Sequence, residues 1–270
     1  MERLVLLYDC GGYLNRASIV MNTTLVTEAD VEIEDEKKAG YSERLFSGGL
    51  RAWLHNARFN WVRREVADTD ISTDTVLELG CFDGRVLGYI PSKIENYFGY
   101  DADWEGGLSA AQSLHADRPH LKFRKCQTPE QFAGDCNNVD LFISLETMEH
   151  IPPEMLSDYI DRVKRAMAHG GTLLVSVPNE KGIVFAAKQL VKLLFLERGG
   201  KYPYSFKEFF FATIGQLEKV ERGEHKGFDW EVLRAELEQS FVLEGCSGLQ
   251  LPILGPYLNA SIGLRFRNER

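Results

Sequence analysis

The chain has 270 residues, 44% hydrophobic and 26% charged, and these globular proportions exclude a disordered chain, a collagen-like fibre and a coiled coil. The formal net charge of −9 disfavours a dedicated nucleic-acid binder, which normally presents a basic face. The five cysteines lack any CxxC spacing, so we expect free thiols rather than disulfides or a zinc site. No segment has the roughly 18 apolar residues of a membrane span. We therefore expect a soluble, cytoplasmic protein.

The first part of the chain divides into an extension and a helix. Residues 1–40 combine an apolar stretch, a Gly-Gly pair and an acidic segment, and we predict an N-terminal extension there. From Tyr41 to Ala67 apolar residues recur at helical spacing. The arginines of this helix could contact an acid or a ligand carboxylate, but we expect most of them to form a solvated face. They are Arg44, Arg51, Arg58, Arg63 and Arg64.

Short apolar segments then alternate with helical ones. The predicted strands are 75–79, 97–100, 121–125, 139–145, 172–177, a segment near 241–246, and 261–267. Between the fourth and fifth strands, apolar residues recur every four positions from Met155 to Met167, which predicts a helix that Gly170 ends. This alternation predicts an α/β fold in which helices cover both faces of a parallel sheet. Ligands of such sheets bind beyond the carboxyl ends of the strands.

Residues 181–228 interrupt the alternation with two apolar segments, 183–196 and 205–217. Ser205 and Glu208 have the spacing of a capping box, and a helix capped by Asp229 follows. We predict a helical lid insertion over the site. The alternative is that the lysines and aromatic residues of 183–211 make peripheral contact with the inner membrane face, as interfacial amphipathic helices do.

The segment VLELGCFDG combines an acidic residue with a glycine turn. Glu78 ends a strand, and Gly80 and Gly84 follow in a tight turn towards a helix. Phe82 stands where a dinucleotide fingerprint requires glycine. An acid at this turn would repel a pyrophosphate but suits a ligand that carries an ammonium group. Asp101 ends the next strand, where a carboxylate can accept hydrogen bonds from ribose hydroxyls.

Four segments resemble, in order and spacing, the class I S-adenosylmethionine-dependent methyltransferases: VLELGCFDG, YFGYD, VDLFISLETMEHI and GGTLLVSVPN. The resemblance covers residues 41–270 and implies a Rossmann-like, doubly wound, seven-stranded, mostly parallel sheet that binds S-adenosylmethionine. By this likeness the glycine turn holds the methionine portion, Asp101 holds the ribose, and the loop of Gln127 flanks the adenine. The implied cofactor-binding residues are Glu78, Gly80, Cys81, Gly84, Asp101, Gln127 and Leu145.

A second constellation follows the fourth strand. Within LETMEHIPP, Glu146, Glu149 and His150 stand at i, i+3 and i+4, so a helical turn would place them on one face. Two neighbouring carboxylates repel unless a cation or a proton intervenes. Oxygen-rich ligands with an imidazole suit Mg²⁺ or Mn²⁺ better than zinc. His225, near the end of the insertion, is the candidate fourth ligand.

The E-x-x-E-H pattern resembles two methyltransferase branches: small-RNA ribose 2′-O-methyltransferases and the catechol O-methyltransferases of ubiquinone biosynthesis. The likeness implies that Glu146, Glu149, His150 and His225 bind a divalent metal, with Glu149 and His150 at the catalytic centre. The segments NARFNWV and HKGFDW also resemble bacterial methyltransferases associated with cell-surface glycan synthesis.

These likenesses imply metal-assisted methylation of a hydroxyl on a diol-bearing acceptor, either a sugar or glycan or a lipid-linked sugar. A catechol or quinone precursor is one alternative acceptor, and an RNA ribose, which the acidic charge disfavours, is another. In a metal-free enzyme His150 would act as the general base, since the ordinary pKa of histidine lies near 6.5. The non-enzymatic alternative is a cofactor-binding protein without turnover.

Overall fold

The computed structural model describes residues 49–69, 71–195, 203–223 and 225–269. The predicted N-terminal extension 1–40 and the first part of the predicted helix, with Arg44, lie outside these residues. All described residues belong to one compact unit, Lys38–Arg270.

Seven strands form one sheet in the order β3-β2-β1-β4-β5-β7-β6. They are β1 (Thr75–Leu79), β2 (Asn96–Asp101), β3 (Leu121–Lys125), β4 (Val139–Leu145), β5 (Met167–Pro178), β6 (Val242–Gly248) and β7 (Ser261–Arg267). Strands β1 to β5 pair in parallel, and β7 is antiparallel to both β5 and β6. The predicted doubly wound, mostly parallel sheet of seven strands is confirmed. The winding reverses between β1 and β4, and ligands bind at such a switch point.

Helices cover both faces of the sheet because successive strand residues point to opposite sides. The helices are α1 (Gly49–Asp68), α2 (Gly107–Leu114), α3 (Pro153–Ala166), α4 (Gly182–Phe195), α5 (Phe206–Thr213) and α6 (Trp230–Glu238). On one face Leu77 packs in a core with side chains of α3 and α6. On the other face Val76 packs in a core with side chains of α1 and α2.

The helix before β5 ends earlier than the sequence pattern predicts. It ends at Ala166, and Met167 already has an extended backbone. Met167 pairs with Val139 of β4, next to an irregularity in the strand register. A Cβ atom at Gly171 would lie 2.8 Å from the carbonyl oxygen of Val139, so glycine permits this close approach. Strand pairing therefore replaces the last predicted turn of the helix, and Gly170 lies within β5 rather than at a helix end.

The segment between β5 and α6 contains the two predicted helices, α4 and α5. They share a small apolar cluster that includes Phe185 and Tyr204. The predicted capping box is confirmed, because Ser205 Oγ accepts a hydrogen bond from the Glu208 N–H at 3.2 Å and Glu208 Oε2 accepts one from the Ser205 N–H at 2.9 Å. Asp229 caps α6, also as predicted. Among the described residues, no helix has the length and apolar character needed to cross a membrane.

Candidate functional site

The turn after β1 requires its glycines. Gly80 has a φ of 83°, and a Cβ atom there would lie 1.9 Å from Thr147 Oγ1. Gly84 has a φ of 72°, and a Cβ atom there would lie 2.9 Å from the Phe123 ring. Phe82, although not glycine, also has a positive φ of 45°. Strained backbone of this kind is concentrated at functional sites.

The Asp101 carboxylate holds this turn against the end of β2. It accepts hydrogen bonds from the backbone N–H of Phe82 at 2.9 Å and of Asp103 at 2.6 Å. Burial raises the pKa of Asp101, and these two N–H groups oppose that shift. Both carboxylate oxygens keep further lone pairs, so the geometry is compatible with additional bonds from ribose hydroxyls. The ribose role of Asp101 remains a prediction.

Glu78 is a buried acid at the centre of the same edge. It is 2% exposed, and the Tyr97 hydroxyl donates a hydrogen bond to its Oε2 atom. Burial raises the pKa of Glu78 to about 8, against the opposing effect of the Tyr97 hydrogen bond. The carboxyl is therefore mostly neutral at pH 7. A bound ammonium group would stabilise its ionised form.

The other predicted cofactor residues lie at the same edge. Cys81 is buried and donates its N–H to the Tyr100 carbonyl at 3.1 Å. Leu145 is buried at the end of β4. The Gln127 side-chain amide donates to the Ala102 carbonyl at 3.4 Å, which joins the loops that follow β3 and β2. The fold thus brings all seven residues to the carboxyl ends of β1 to β4, and their cofactor roles remain predictions.

Glu149, His150 and His225 form a compact triad. One potential ligand atom of each lies within 4.8 Å of those of the other two. Glu149 Oε1 lies 3.9 Å from His150 Nε2 and 3.8 Å from His225 Nδ1. These separations are too long for hydrogen bonds. Because protein ligands stand about 2.1 Å from a divalent transition-metal ion, the separations leave space for an ion between the atoms.

Glu149 is the most constrained member of the triad. Its side chain is fully buried, and neither carboxylate oxygen has a hydrogen-bond partner within the described part of the chain. Burial and then the charge of Glu146 raise the pKa of Glu149 well above its usual range. A buried carboxylate without partners is costly. A cation between Glu149 and the imidazoles would remove that cost.

His225 has the protonation state that a metal ligand needs. Its side chain is 47% exposed, and partial desolvation with the charges of His150 and Lys188 lowers its pKa below that of a free imidazole. The imidazole is therefore neutral at pH 7, which leaves a ring nitrogen lone pair for a metal. The donor set of the triad fits a divalent ion.

Glu146 does not share a helical face with the triad, contrary to the expected helical turn. The turn is a 3₁₀ helix limited to Met148–His150. Glu146 precedes it with a φ of 54° and donates its N–H to the Ser176 carbonyl at 2.9 Å. Its Oε1 atom is buried and lacks a hydrogen-bond partner among the described residues. Its role as a metal ligand remains a prediction.

Two further residues of the site, Arg222 and Trp104, were not predicted, and Arg58 was named only as one of five arginines. Burial raises the pKa of Glu78, Glu146 and Glu149, and the positive charge of Arg58 opposes this in all three. Arg58 is half-buried and therefore differs from the expected solvated face. Arg222 donates to the Glu149 carbonyl at 2.8 Å. Trp104 lies beside His150. The sequence signal for Trp104 was an aromatic residue within the polar loop that follows β2.

A polar cavity of about 480 Å³ lies at the opposite edge of the sheet. Its lining includes His169, Thr172 and Arg267, which lie near the amino end of β5. None of the predicted site residues lines it. The cavity is therefore separate from the site at the carboxyl ends of the strands.

Comparisons with known proteins agree with this geometry. A family model described as a methyltransferase domain matches residues 76–171. A structure of an S-adenosylmethionine-dependent methyltransferase from Clostridium acetobutylicum ATCC 824 aligns with a TM-score of 0.58 at 14% identity, covering 87% of this chain and 99% of that one. The N-methyltransferase NodS from Bradyrhizobium japonicum WM9, in complex with S-adenosyl-L-homocysteine, aligns with a TM-score of 0.52 at 13% identity, covering 86% and 99%.

A SAM-dependent methyltransferase from Aquifex aeolicus aligns with a TM-score of 0.52 at 13% identity, covering 86% of this chain and 98% of that one. No protein with a curated description matches the sequence. At these identities the structural alignments establish the fold, and a fold does not determine the acceptor.

Proposed function

We propose that the chain methylates a hydroxyl of a diol-bearing acceptor with the help of a divalent metal ion. Its fold is that of class I S-adenosylmethionine-dependent methyltransferases, and its residues 76–171 match a methyltransferase domain. The observation that carries this proposal is the fully buried Glu149 carboxylate beside two imidazoles, whose two oxygens have no hydrogen-bond partner among the residues that the structure describes.

The edge that holds Glu78 and Asp101 suits S-adenosylmethionine, which supplies a methyl group on a positively charged sulfur. Glu78 would receive the ammonium group and become ionised in doing so. Asp101 would accept hydrogen bonds from the ribose hydroxyls. Arg58, whose Nε is buried without a hydrogen-bond partner among the described residues, would receive the carboxylate of the methionine portion. The cofactor's charged groups would thus meet opposite charges.

Glu149, His150 and His225 would hold Mn²⁺ or Mg²⁺, and Glu146 is close enough for its charge to affect Glu149. A divalent ion, when bound, lowers the pKa of a hydroxyl that it contacts. Arg222 donates a hydrogen bond to the Glu149 carbonyl and so holds the backbone of that residue. In the transfer the acceptor O–C bond forms as the S–C bond breaks, and the hydroxyl proton leaves to solvent. The chain contributes mainly orientation and exclusion of water.

A second candidate mechanism requires no metal. The His150 side chain is 29% exposed, and its Nε2 lies 3.9 Å from Glu149. An imidazole in this position can accept the hydroxyl proton directly, with the buried carboxylate stabilising the imidazolium. Such an enzyme would act on single hydroxyls as readily as on diols.

Transfer of a labelled methyl group from S-adenosylmethionine to catechol or a methyl glycoside tests the proposal. We expect Mn²⁺-dependent transfer that Glu149→Gln abolishes. The matched control is Glu154→Gln, an exposed carboxylate in the first turn of α3. Transfer that chelators leave unchanged and His150→Asn abolishes would replace the metal mechanism with the histidine base. Failure of the native chain to bind S-adenosylhomocysteine would contradict both mechanisms. Binding of S-adenosylhomocysteine without transfer to any acceptor would favour the cofactor-binding protein without turnover.

The choice of acceptor also separates the alternatives. Transfer to glycosides supports the sugar class, and transfer to catechol alone supports the quinone-precursor alternative. An RNA ribose requires a basic groove, which the net charge of −9 disfavours. Methylation of a short RNA duplex at physiological salt would overturn the sugar assignment.

We further propose that α4 and α5 make peripheral contact with a membrane, since they expose six large apolar side chains. These are Ile183, Leu190, Val191, Phe206, Phe210 and Ile214. The adjacent exposed lysines Lys192 and Lys207 would face lipid headgroups. Co-sedimentation with anionic vesicles should fall several-fold in Phe206→Ser/Phe210→Ser. Sedimentation equal to that of the native chain would remove the membrane contact.

A further inference from the structure

A large aromatic side chain, that of Trp104, is exposed next to the triad. The function proposed above gives it no role. Trp104 is 72% exposed, whereas Trp61 and Trp230 are 2% and 1% exposed. Its ring centroid lies 6.5 Å from that of His150, with the two rings nearly perpendicular at 81°. The His150 ring lies in turn 4.4 Å from that of His225. The indole therefore forms a wall beside the triad that faces solvent.

The backbone on both sides of Trp104 is held firmly. Asp103 has a φ of 60° and donates its N–H to Asp101 Oδ1 at 2.6 Å. Its own Oδ1 accepts a hydrogen bond from the Leu108 N–H at 3.3 Å, which ties the loop to the start of α2. Gly106 completes the loop with a φ of 70°. These contacts fix the backbone from which the indole projects, and an exposed aromatic residue on such a loop is typical of a binding surface.

We propose that Trp104 is an acceptor-binding residue, whose indole packs against the ring of an acceptor that presents two vicinal hydroxyls to Glu149, His150 and His225. The acceptor class is thus a cyclic diol with a flat apolar face, which a pyranose and an aromatic ring share. An acyclic diol would leave the indole in water and gain nothing from it. This inference rests on the proposed function, because it takes the triad as the place where the hydroxyls bind.

The position of Trp104 favours the acceptor over the cofactor. Asp101, predicted to bind the ribose, lies at the end of β2, and the loop of Gln127, predicted to flank the adenine, follows β3. The Trp104 ring instead lies beside the imidazole of His150, a member of the triad. A ligand that contacts both the indole and the triad would lie where the methyl group must be accepted.

The experiment measures binding rather than turnover. With Mg²⁺ and S-adenosylhomocysteine present, methyl α-D-mannopyranoside and catechol are titrated against the full chain, with 1,2-propanediol as the acyclic probe. Acrylamide quenches the fluorescence of exposed tryptophans, so protection from quenching reports that a ligand covers the Trp104 indole. Calorimetry gives the affinity of each probe. We expect ring diols to protect the native chain and Trp104→Ala to lower their affinity about tenfold, as loss of an aromatic stacking partner does. Trp104→Phe, which keeps a ring, should lose less affinity.

Controls separate this proposal from the metal site. Trp53, which is 47% exposed on α1, provides the matched variant Trp53→Phe, and this variant should keep the protection. S-adenosylhomocysteine affinity and Mn²⁺ binding should stay within twofold of the native values in Trp104→Ala. Tighter binding of the pyranoside would identify the acceptor as a sugar, and tighter binding of catechol would identify it as an aromatic diol.

Three outcomes overturn the acceptor role of Trp104. In the first, Trp104→Ala binds the ring diols as tightly as the native chain does. In the second, Trp104→Ala loses affinity for S-adenosylhomocysteine instead of for the ring diols. In the third, a native chain that binds Mn²⁺ binds neither ring diol. Absence of Mn²⁺ binding in the native chain is a different result. It would contradict the metal mechanism, and protection of Trp104 by a ring diol under those conditions would still support the packing surface.

Discussion

Nδ1 of His225 lies 3.8 Å from Oε1 of Glu149, although the two residues belong to different parts of the chain. Glu149 follows the central strand β4, whereas His225 precedes α6 at the end of the segment between β5 and that helix. The triad therefore depends on where the end of this segment places His225. Disturbing the segment should remove metal binding without removing the cofactor site.

Asp101→Asn should weaken S-adenosylhomocysteine binding by about 10- to 100-fold, since hydrogen bonds to a charged group contribute about 1.5–3 kcal/mol. Asp101 accepts the Phe82 N–H at Oδ2 (2.9 Å) and the Asp103 N–H at Oδ1 (2.6 Å), so the asparagine keeps an acceptor for only one of the two. Isothermal titration measures the change. Asp83→Asn, which breaks only a pair with Arg85 in the same turn, serves as the control. Equal affinities in the two variants would exclude the ribose role.

Arg58→Met should lower cofactor affinity roughly tenfold, because the variant lacks the guanidinium proposed to bind the carboxylate of the methionine portion. Arg63→Met is the matched control, since Arg63 lies on the same helix with its side chain exposed. Calorimetry compares S-adenosylhomocysteine with adenosine, which lacks the amino-acid end of the ligand and therefore the carboxylate. Adenosine affinity should not change. A parallel loss for adenosine would show that Arg58 acts on the fold instead.

Because folding raises the pKa of Glu78, the free energy of unfolding should depend on pH. This pKa rises from an ordinary 4.5 to about 8 on folding, so between these values the folded chain binds one more proton than the unfolded chain. The stabilisation is complete below about pH 4.5 and is lost as the pH rises towards 8, with a slope of up to about 1.4 kcal/mol per pH unit. Urea unfolding between pH 5 and 8 should show a shallower slope for Glu78→Gln. An identical slope would contradict the raised pKa.

Gly80→Ala should destabilise the chain by about 2–4 kcal/mol. The new methyl group would lie 1.9 Å from Thr147 Oγ1, in a backbone with a φ of 83° that alanine rarely adopts. Gly88→Ala provides the matched control, because a Cβ atom there meets no atom within 4 Å. Thermal unfolding compares the two. A Gly80→Ala variant as stable as Gly88→Ala would mean that the turn is looser than the structure indicates.

The sequence was sufficient to predict the strands, since their apolar character and spacing are local properties. It also located Glu149, His150 and His225, because their chemistry is distinctive. The sequence did not single out Arg58 for the site, since five arginines on one predicted helix have the same local pattern. Only the docking of α1 on the sheet determines which of them turns inward. The end of α3 at Ala166 was missed for a similar reason, as pairing of Met167 with β4 overrides the helical periodicity.

Mn²⁺ binding followed by electron paramagnetic resonance, with S-adenosylhomocysteine present, tests the central claim most directly. The account predicts one Mn²⁺ site in the native chain, lost in Glu149→Gln and in His225→Ala and retained in Glu154→Gln. Cofactor affinity should stay constant in all three variants. A native chain that binds no Mn²⁺, or a Glu149→Gln variant that binds it as tightly as the native chain, would contradict the metal-assisted mechanism.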